Sequence, residues 1–307
     1  MSPTSRLSSA STRARSLALA LVWAVAALGG CAAYRPATTP GGVPIVVHDN
    51  ALGQDSRVLF LVIHYTVANL PLSMKILRDG GQVSAHYLVS DESPPRIHRL
   101  VPEERRAWHS GPSHWRGHSM LNANSIGIEI VHPGYRKGPD GEKVFAAFPP
   151  VQIEALVPLV RDIVTRHRIR PDRVLGHGEV TPSYKEDPGP TFPWARLAAE
   201  GLVPPLPDAA RVAAQRAVYE AALPGALWFQ QQLRQWGYVI EATGLWDDQS
   251  RRVMMNFQMR YRPADHRAEM DAESAALLWV LNNPPAPAAA APAGRPAPRV
   301  LGAPAPR

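Results

Sequence analysis

The chain has 307 residues, of which 45% are hydrophobic and 32 are proline, with one cysteine and a formal charge of +7. A single cysteine excludes an internal disulfide, and the lack of a basic run interleaved with aromatics excludes nucleic acid as a serious partner. The length leaves room for two ordinary domains once the terminal segments are set aside.

Residues 1–30 read as a targeting segment, with Arg6, Arg13 and Arg15 ahead of an apolar stretch, SLALALVWAVAAL, at 16–28. That stretch is too short for a comfortable membrane span. It runs into Leu28-Gly29-Gly30-Cys31, which resembles a bacterial lipobox, in which the cysteine is lipidated as the leader is cleaved. Cys31 is thus the candidate lipidation site, and several acyl chains at about 0.8 kcal/mol per buried CH₂ anchor a protein stably. Ala32 follows it rather than aspartate, which by the usual sorting pattern of such lipoproteins implies the outer membrane, facing the periplasm. Losing residues 1–30 removes three arginines and no acid, taking the charge from +7 to +4. That balance suits an anionic polymer such as a cell wall, and equally plain solubility. Residues 31–43 read as a tether.

The first strong element is VLFLVI at 58–63, an apolar, β-branched run that predicts a buried strand ending in His64-Tyr65-Thr66. A short helix is expected over 73–78 with Ser73 as its cap, then strands over 82–90 and 97–101. His86, in the first of these, reads as a hydrogen-bonded core residue or a support for a ligand rather than a ligand. SIGIEIV at 125–131 predicts another strand with Glu129 in its middle. A carboxylate there is costly unless paired, hydrogen-bonded or beside a metal. Gly127 leaves room for another group to come close. Residues 151–167 carry apolar side chains at helical spacing, with Pro158 inside the expected helix.

The segment LGHGEVTPSYKEDPGPTFPW at 175–194 places His177, Lys185 and Asp187 on one loop stiffened by Pro182, Pro188, Gly189, Pro190 and Pro193. Imidazole and carboxylate are both good zinc ligands, and a catalytic zinc takes three protein ligands plus an open position. His177 and Asp187 supply two, and His64 at the end of its strand is the candidate third. Glu129 and Lys185 would lie beside the bound water. Each of these residues alone has a bland reading, as a packed histidine, a structural acid or a solvated lysine; the case rests on their combination.

VIHYT, VSAHYLVS at 83–90, AWHSG at 107–111, NSIGIEIV at 124–131 and the GH…K-D-PGP-FPW loop occur here in the order seen in zinc-dependent N-acetylmuramoyl-L-alanine amidases. The chain resembles the type-2 amidase domain over residues 45–202, and most closely its outer-membrane lipoprotein members. The resemblance implies one catalytic zinc ion held by His64, His177 and Asp187, with Glu129 and Lys185 serving catalysis. It implies hydrolysis of the amide between N-acetylmuramic acid and L-alanine in peptidoglycan or muropeptides. Tyr65, Trp108, His109 and Asn124 are candidates for lining the cleft. One departure is Gly178-Glu179, where relatives often carry Ser-Asp; it puts the local hydrogen bonding in doubt, not the metal. The alternative is a non-catalytic peptidoglycan-binding lipoprotein, since relatives that lose a ligand keep only binding.

Val203-Pro204-Pro205-Leu206-Pro207 reads as a boundary, followed by helices over 209–222, 227–235, 248–259 and 272–281, with Asp247 as an N-cap. GLWDDQSRRVMMNFQMRYRP and DAESAALL resemble the repeated core of small helical peptidoglycan-binding domains. The proline- and alanine-rich residues 284–307 are expected to be disordered. The fold expected is α/β, a central mixed β-sheet flanked by helices, followed by a small all-α bundle. The segments are then leader 1–30, tether 31–43, zinc amidase domain 44–203, helical wall-binding domain 208–283 and tail 284–307. The expected state is a monomer.

Overall fold

The computed structural model describes residues 37–45 and 51–285. The leader, Cys31 and residues 286–307 lie outside the described residues. Two compact units divide the chain, one ending at Asp55 and the other running from Ser56. In the first, β1 (Ala37–Thr38) and β2 (Pro44–Ile45) pair antiparallel.

The second unit begins with β3 (Phe60–Tyr65), α1 (Leu70–Met74) and a π-helical turn at Lys75–Asp79. The expected cap at Ser73 is corrected: Asn69 caps α1 by accepting from the Leu72 amide, and the Ser73 hydroxyl is buried inside the helix, donating to the Asn69 carbonyl. Next come β4 (Tyr87–Val89), β5 (Ile97–Arg99), the small pair β6 (His114–Trp115) and β7 (His118–Ser119), and β8 (Ser125–Ile130). The strand expected over 82–90 is thus only three residues long. The pair β9 (Tyr135–Lys137) and β10 (Lys143–Phe145) precedes α2 (Pro150–His167), which starts on a proline where no intrahelical donor is needed. After β11 (Val174–Gly176) come α3 (His177–Val180) and α4 (Trp194–Ala199). The helical segment is α5 (Ala209–Ala221), α6 (Ala226–Trp236), α7 (Asp248–Tyr261) and α8 (Ala272–Asn282). Asp247 caps α7 by accepting from the Ser250 amide, as its place before the helix predicts.

Five strands form the central sheet in the order β11-β3-β8-β4-β5, parallel except for the edge pair β4–β5. A mostly parallel sheet needs cover on both faces, and here the two covers differ. Leu61, Ile63, Ile126, Ile128 and Ile130 point to one face, where they pack with Leu156, Val160 and Ile163 of α2. Phe60, Val62 and Leu175 point to the other and join Phe229, Leu233, Val253, Met254 and Phe257 of α6 and α7. The proline run at 203–207 separates two segments of sequence, but the core crosses it. At the carboxyl end of the second face the apolar pattern gives way: after Phe60 and Val62 comes His64, and beside it across the β3–β8 register stands Glu129.

Candidate metal centre

Strand pleating puts every second side chain on one face, so the register that pairs His64 with Glu129 also aligns Val62 with Gly127 and Phe60 with Ser125. His177 opens α3 directly after β11, the neighbour of β3, which brings its ring to 4.4 Å from that of His64. The chain then folds back on itself: Gly178 donates to the Asp187 carbonyl at 2.8 Å. That closure carries the Asp187 carboxylate under both imidazoles. One oxygen, Oδ2, lies 3.2 Å from His64 Nδ1 and 3.1 Å from His177 Nδ1. All three side chains are buried, and their ligand-type atoms lie within 4.8 Å of one another.

The hydrogen-bond chain behind His64 assigns its tautomer. Ser125 Oγ has one proton, and it goes to the Leu121 carbonyl 2.6 Å away, which can only accept. His109 Nε2, 3.1 Å from that hydroxyl, must then donate to it. Burial and the neighbouring histidines hold His109 well below the usual imidazole range, so it is neutral and its Nδ1 accepts. His64 Nε2, 3.0 Å from that nitrogen, is therefore the donor. His64 is itself held down to about 4, first by burial and then by His177. It is left with a lone pair on Nδ1 facing the Asp187 oxygen. Burial would raise the Asp187 carboxyl, but His177 beside it, 3.1 Å away, leads the groups that hold it well below the usual range. Two acceptors face each other in a buried site, an arrangement that a cation relieves. Two imidazoles and a carboxylate are a zinc donor set, and the residues present fit that ion.

Gly127 is the residue that lets this chain of contacts form. A Cβ there would stand 2.4 Å from the His109 ring. The room expected at Gly127 is filled by that imidazole. His86 braces the same glycine, accepting from its amide through Nδ1 and donating to the Arg105 carbonyl through Nε2.

An open cleft of about 250 Å³ lies over these groups, with Tyr65, Trp108, Glu129, His177, Lys185 and Asp187 among its lining residues. Glu129 is half-buried, and its buried Oε2 has no hydrogen-bond partner among the described residues. Burial, reinforced by the Asp187 charge and opposed by Lys185, pushes its carboxyl up to about 8. Such a group holds or releases a proton near neutral pH. Lys185 is half-buried on the same loop as Asp187, and Trp108 is exposed on the rim.

Of the sequence-derived site residues, the structure gathers His64, His177, Asp187, Glu129, Lys185, Tyr65 and Trp108 at one cleft. His109 also reaches it, but its ring is buried between His64 and Ser125 and serves to orient His64. Asn124 is a correction. It precedes β8 at the other end of the sheet, where its carbonyl accepts from Leu59 and Phe60, five residues and about 16 Å along the strand from Glu129. Ser125 has a part that the sequence reading missed. The departure at Gly178-Glu179 is also accounted for locally: the Glu179 carboxylate accepts from the Gly176 amide at 2.8 Å and pairs with buried Arg260 of α7.

A family model described as N-acetylmuramoyl-L-alanine amidase matches residues 54–190. The chain is 41% identical over 270 residues to the N-acetylmuramoyl-L-alanine amidase AmiD of Escherichia coli, covering 84% of this chain and 96% of the relative. It is 35% identical over 118 residues to the 1,6-anhydro-N-acetylmuramyl-L-alanine amidase AmpD of Salmonella typhimurium, covering 38% of this chain and 57% of that one. Among solved structures, it is similar to E. coli AmiD in complex with the substrate anhydro-N-acetylmuramic acid-L-Ala-D-γ-Glu-L-Lys. That match has a TM-score of 0.70 and 38% identity and covers 80% of this chain and 96% of that one. AmpDh3 of Pseudomonas aeruginosa matches with a TM-score of 0.71 and 34% identity, over 78% of this chain and 98% of that one.

Proposed function

The chain belongs to the N-acetylmuramoyl-L-alanine amidase family, and from that premise we propose how its residues divide the work and where it acts. It is an amidase that hydrolyses the bond between N-acetylmuramic acid and the L-alanine of the stem peptide in peptidoglycan or muropeptides. In our reading His64, His177 and Asp187 hold one zinc ion. The observation that carries this is the meeting of a deprotonated His64 Nδ1 with the Asp187 oxygen at 3.2 Å. Bound there, zinc supplies Lewis acidity, polarising the scissile carbonyl and lowering the pKa of a water to about 7.

Glu129 stands over the cleft with a free oxygen and takes a proton from the attacking water. It returns that proton to the nitrogen of L-alanine as the carbon–nitrogen bond breaks. The products are the carboxylate of the muramic acid lactyl group and a peptide with a free amino terminus. Lys185, cationic and on the same loop as Asp187, stabilises the negative charge that develops on the carbonyl oxygen. Tyr65 and Trp108 flank the substrate. Zinc titration of metal-stripped protein, followed by activity on one defined muropeptide, tests this. The reading expects activity to rise in proportion to zinc and to saturate at one ion per chain; saturation at two, or full activity without zinc, would refute it.

The setting follows from segments outside the site. We assign residues 1–30 as the leader and Cys31 as the lipid-bearing residue, placing the enzyme on the outer membrane facing the periplasm as a monomer. Residues 44–203 carry the chemistry, and 208–283 contribute affinity for the wall. Metabolic labelling with a fatty-acid probe should mark the wild type and spare Cys31→Ala. Equal labelling of the two would remove the anchor.

A further inference from the structure

The loop from His177 to Asp187 carries three of the five groups that the chemistry uses, yet its internal bonds are few. Gly178 donates to the Asp187 carbonyl, Thr181 to the His177 carbonyl and Lys185 to the Thr181 carbonyl. From the sheet domain, Thr181 donates through its hydroxyl to the Ser110 carbonyl and Lys143 pairs with Glu186. Beyond these, the loop is held by α7, 71 residues further along the chain from Lys185. Asn256 is buried and donates through Nδ2 to the Lys185 carbonyl at 3.1 Å. Its Oδ1 lies over Gly178 so closely that a Cβ on that glycine would stand 1.9 Å away. One helical turn on, Arg260 is buried and pairs with Glu179. It also donates to the Val174 carbonyl and stacks its guanidinium 4.0 Å over Trp194, at the end of the segment. The Glu179 oxygen that receives Arg260 also receives the Gly176 amide, the residue before His177.

We propose that α7 is a positioning element of the catalytic site, in which Asn256 and Arg260 hold the His177–Asp187 loop against the sheet. Arg260 sets the start of α3, and with it the His177 ring, while Asn256 sets the backbone that presents Lys185 and, two residues on, Asp187. This gives the helical segment a part in catalysis that is separate from wall affinity. Asn256 and Arg260 touch neither metal nor substrate; they act through Gly178, Glu179 and Lys185. The proposal rests on the reading of His64, His177 and Asp187 as zinc ligands.

Glycine at 178 is tied to this contact. Gly178 has no left-handed backbone that would require glycine, so what resists an alanine there is crowding. The atom that a Cβ meets first is Asn256 Oδ1. Residues 178 and 256 should therefore behave as a pair.

The test uses the full-length mature protein and avoids Arg260→Ala, which strands a buried carboxylate and risks the fold. Asn256→Ala, Gly178→Ala and the double variant are compared for zinc affinity by chelator competition and for kcat and KM on a soluble muropeptide. Amide hydrogen exchange over residues 178–187 is measured in the metal-free proteins. Asn256→Ala should weaken zinc roughly tenfold, within the range for groups that orient ligands. It should lower kcat more than it changes KM, and speed exchange at Gly178 and Lys185. Gly178→Ala should show similar losses, and the double variant should lose less than the two losses combined, the remaining contact of the added Cβ being the Glu186 Cα at 3.0 Å. Wild-type zinc affinity, kcat and exchange in Asn256→Ala would overturn the proposal, as would losses that simply multiply in the double variant. If the wild type bound no zinc, the metal assignment would fall, and the exchange comparison would still decide whether α7 holds the loop.

Discussion

His64 and Glu129 face each other across neighbouring parallel strands, whereas His177, Lys185 and Asp187 ride on a loop positioned by contacts from elsewhere. The first pair is placed by the β3–β8 register and buttressed from within the sheet domain by His109 and Ser125. The second group is placed by loop closure and by Asn256 and Arg260 of α7. A strand register is set by every residue along it, since a slip of one position turns every side chain to the other face. A loop pinned at a few points, Thr181 on the Ser110 carbonyl, Lys143 on Glu186, and Asn256 and Arg260 of α7, can be displaced by one substitution. The site thus joins a rigid half to a half that depends on the C-terminal helices, and each half can be disturbed separately.

The most drastic way to break the comparison is truncation after Leu202. Residues 44–203 read as a unit by sequence, but Phe60, Val62 and Leu175 share a core with Phe229, Val253 and Phe257. Removing the helices exposes that face and leaves Glu179 without its arginine. We expect the truncated protein to lose its cooperative thermal transition and to bind the dye markers of exposed apolar surface. A sharp transition with zinc bound would show that the sheet face needs no cover.

Within the intact chain, the chemistry of each half should separate from its placement. Lys185→Ala, on the loop, should cost roughly 10²–10³-fold in kcat, as loss of an oxyanion-stabilising donor does. Its zinc content should stay at that of the wild type. A full rate would return Lys185 to the role of a solvated loop charge.

The sheet half is sharpened by Gly127→Ala, whose Cβ drives His109 off the position where it orients His64. Zinc affinity should fall roughly 10–100-fold, as for loss of other groups that hold a ligand in place. Ser125→Ala, which removes only the far end of the chain, should do the same to a smaller degree. Affinity unchanged in both would detach His109 from the metal centre.

The smallest effect is on stability against pH. With burial pushing Glu129 up to about 8 from its ordinary 4.5, the folded, metal-free protein keeps a proton that the unfolded chain has released. Stability from this group is complete below pH 4.5 and is lost as pH rises through about 8. The difference in unfolding midpoint between the wild type and Glu129→Gln should therefore grow in favour of Gln as pH rises across that window. A constant difference would mean that Glu129 titrates normally.

The rigid half of the site was the more legible in sequence. An apolar run ending in a histidine and another interrupted by Glu129 already marked two strands with a polar end. Their register was not legible, because pairing of β3 with β8 joins residues 65 positions apart. Asn124 was misplaced for a related reason. Its closeness to Glu129 in a motif says nothing about which end of an extended strand each occupies. In the loop half, His177, Lys185 and Asp187 stood out through their Pro- and Gly-rich setting. Asn256 and Arg260 did not, since on a helix rich in polar residues nothing marks which of them turn inward. The oddity at Gly178-Glu179 was the one visible trace of them, and it acquires meaning only when α7 is seen above it.

The division between ligands and chemistry is tested most directly by elemental analysis of zinc in three purified proteins, beside turnover of one defined muropeptide. Wild type and Glu129→Ala should each carry about one zinc per chain, and Asp187→Ala should carry little. Only the wild type should turn over substrate at full rate, with Glu129→Ala slowed by roughly 10²–10⁴-fold, as for loss of a general base. Zinc missing from Glu129→Ala, or retained in Asp187→Ala, would contradict the account.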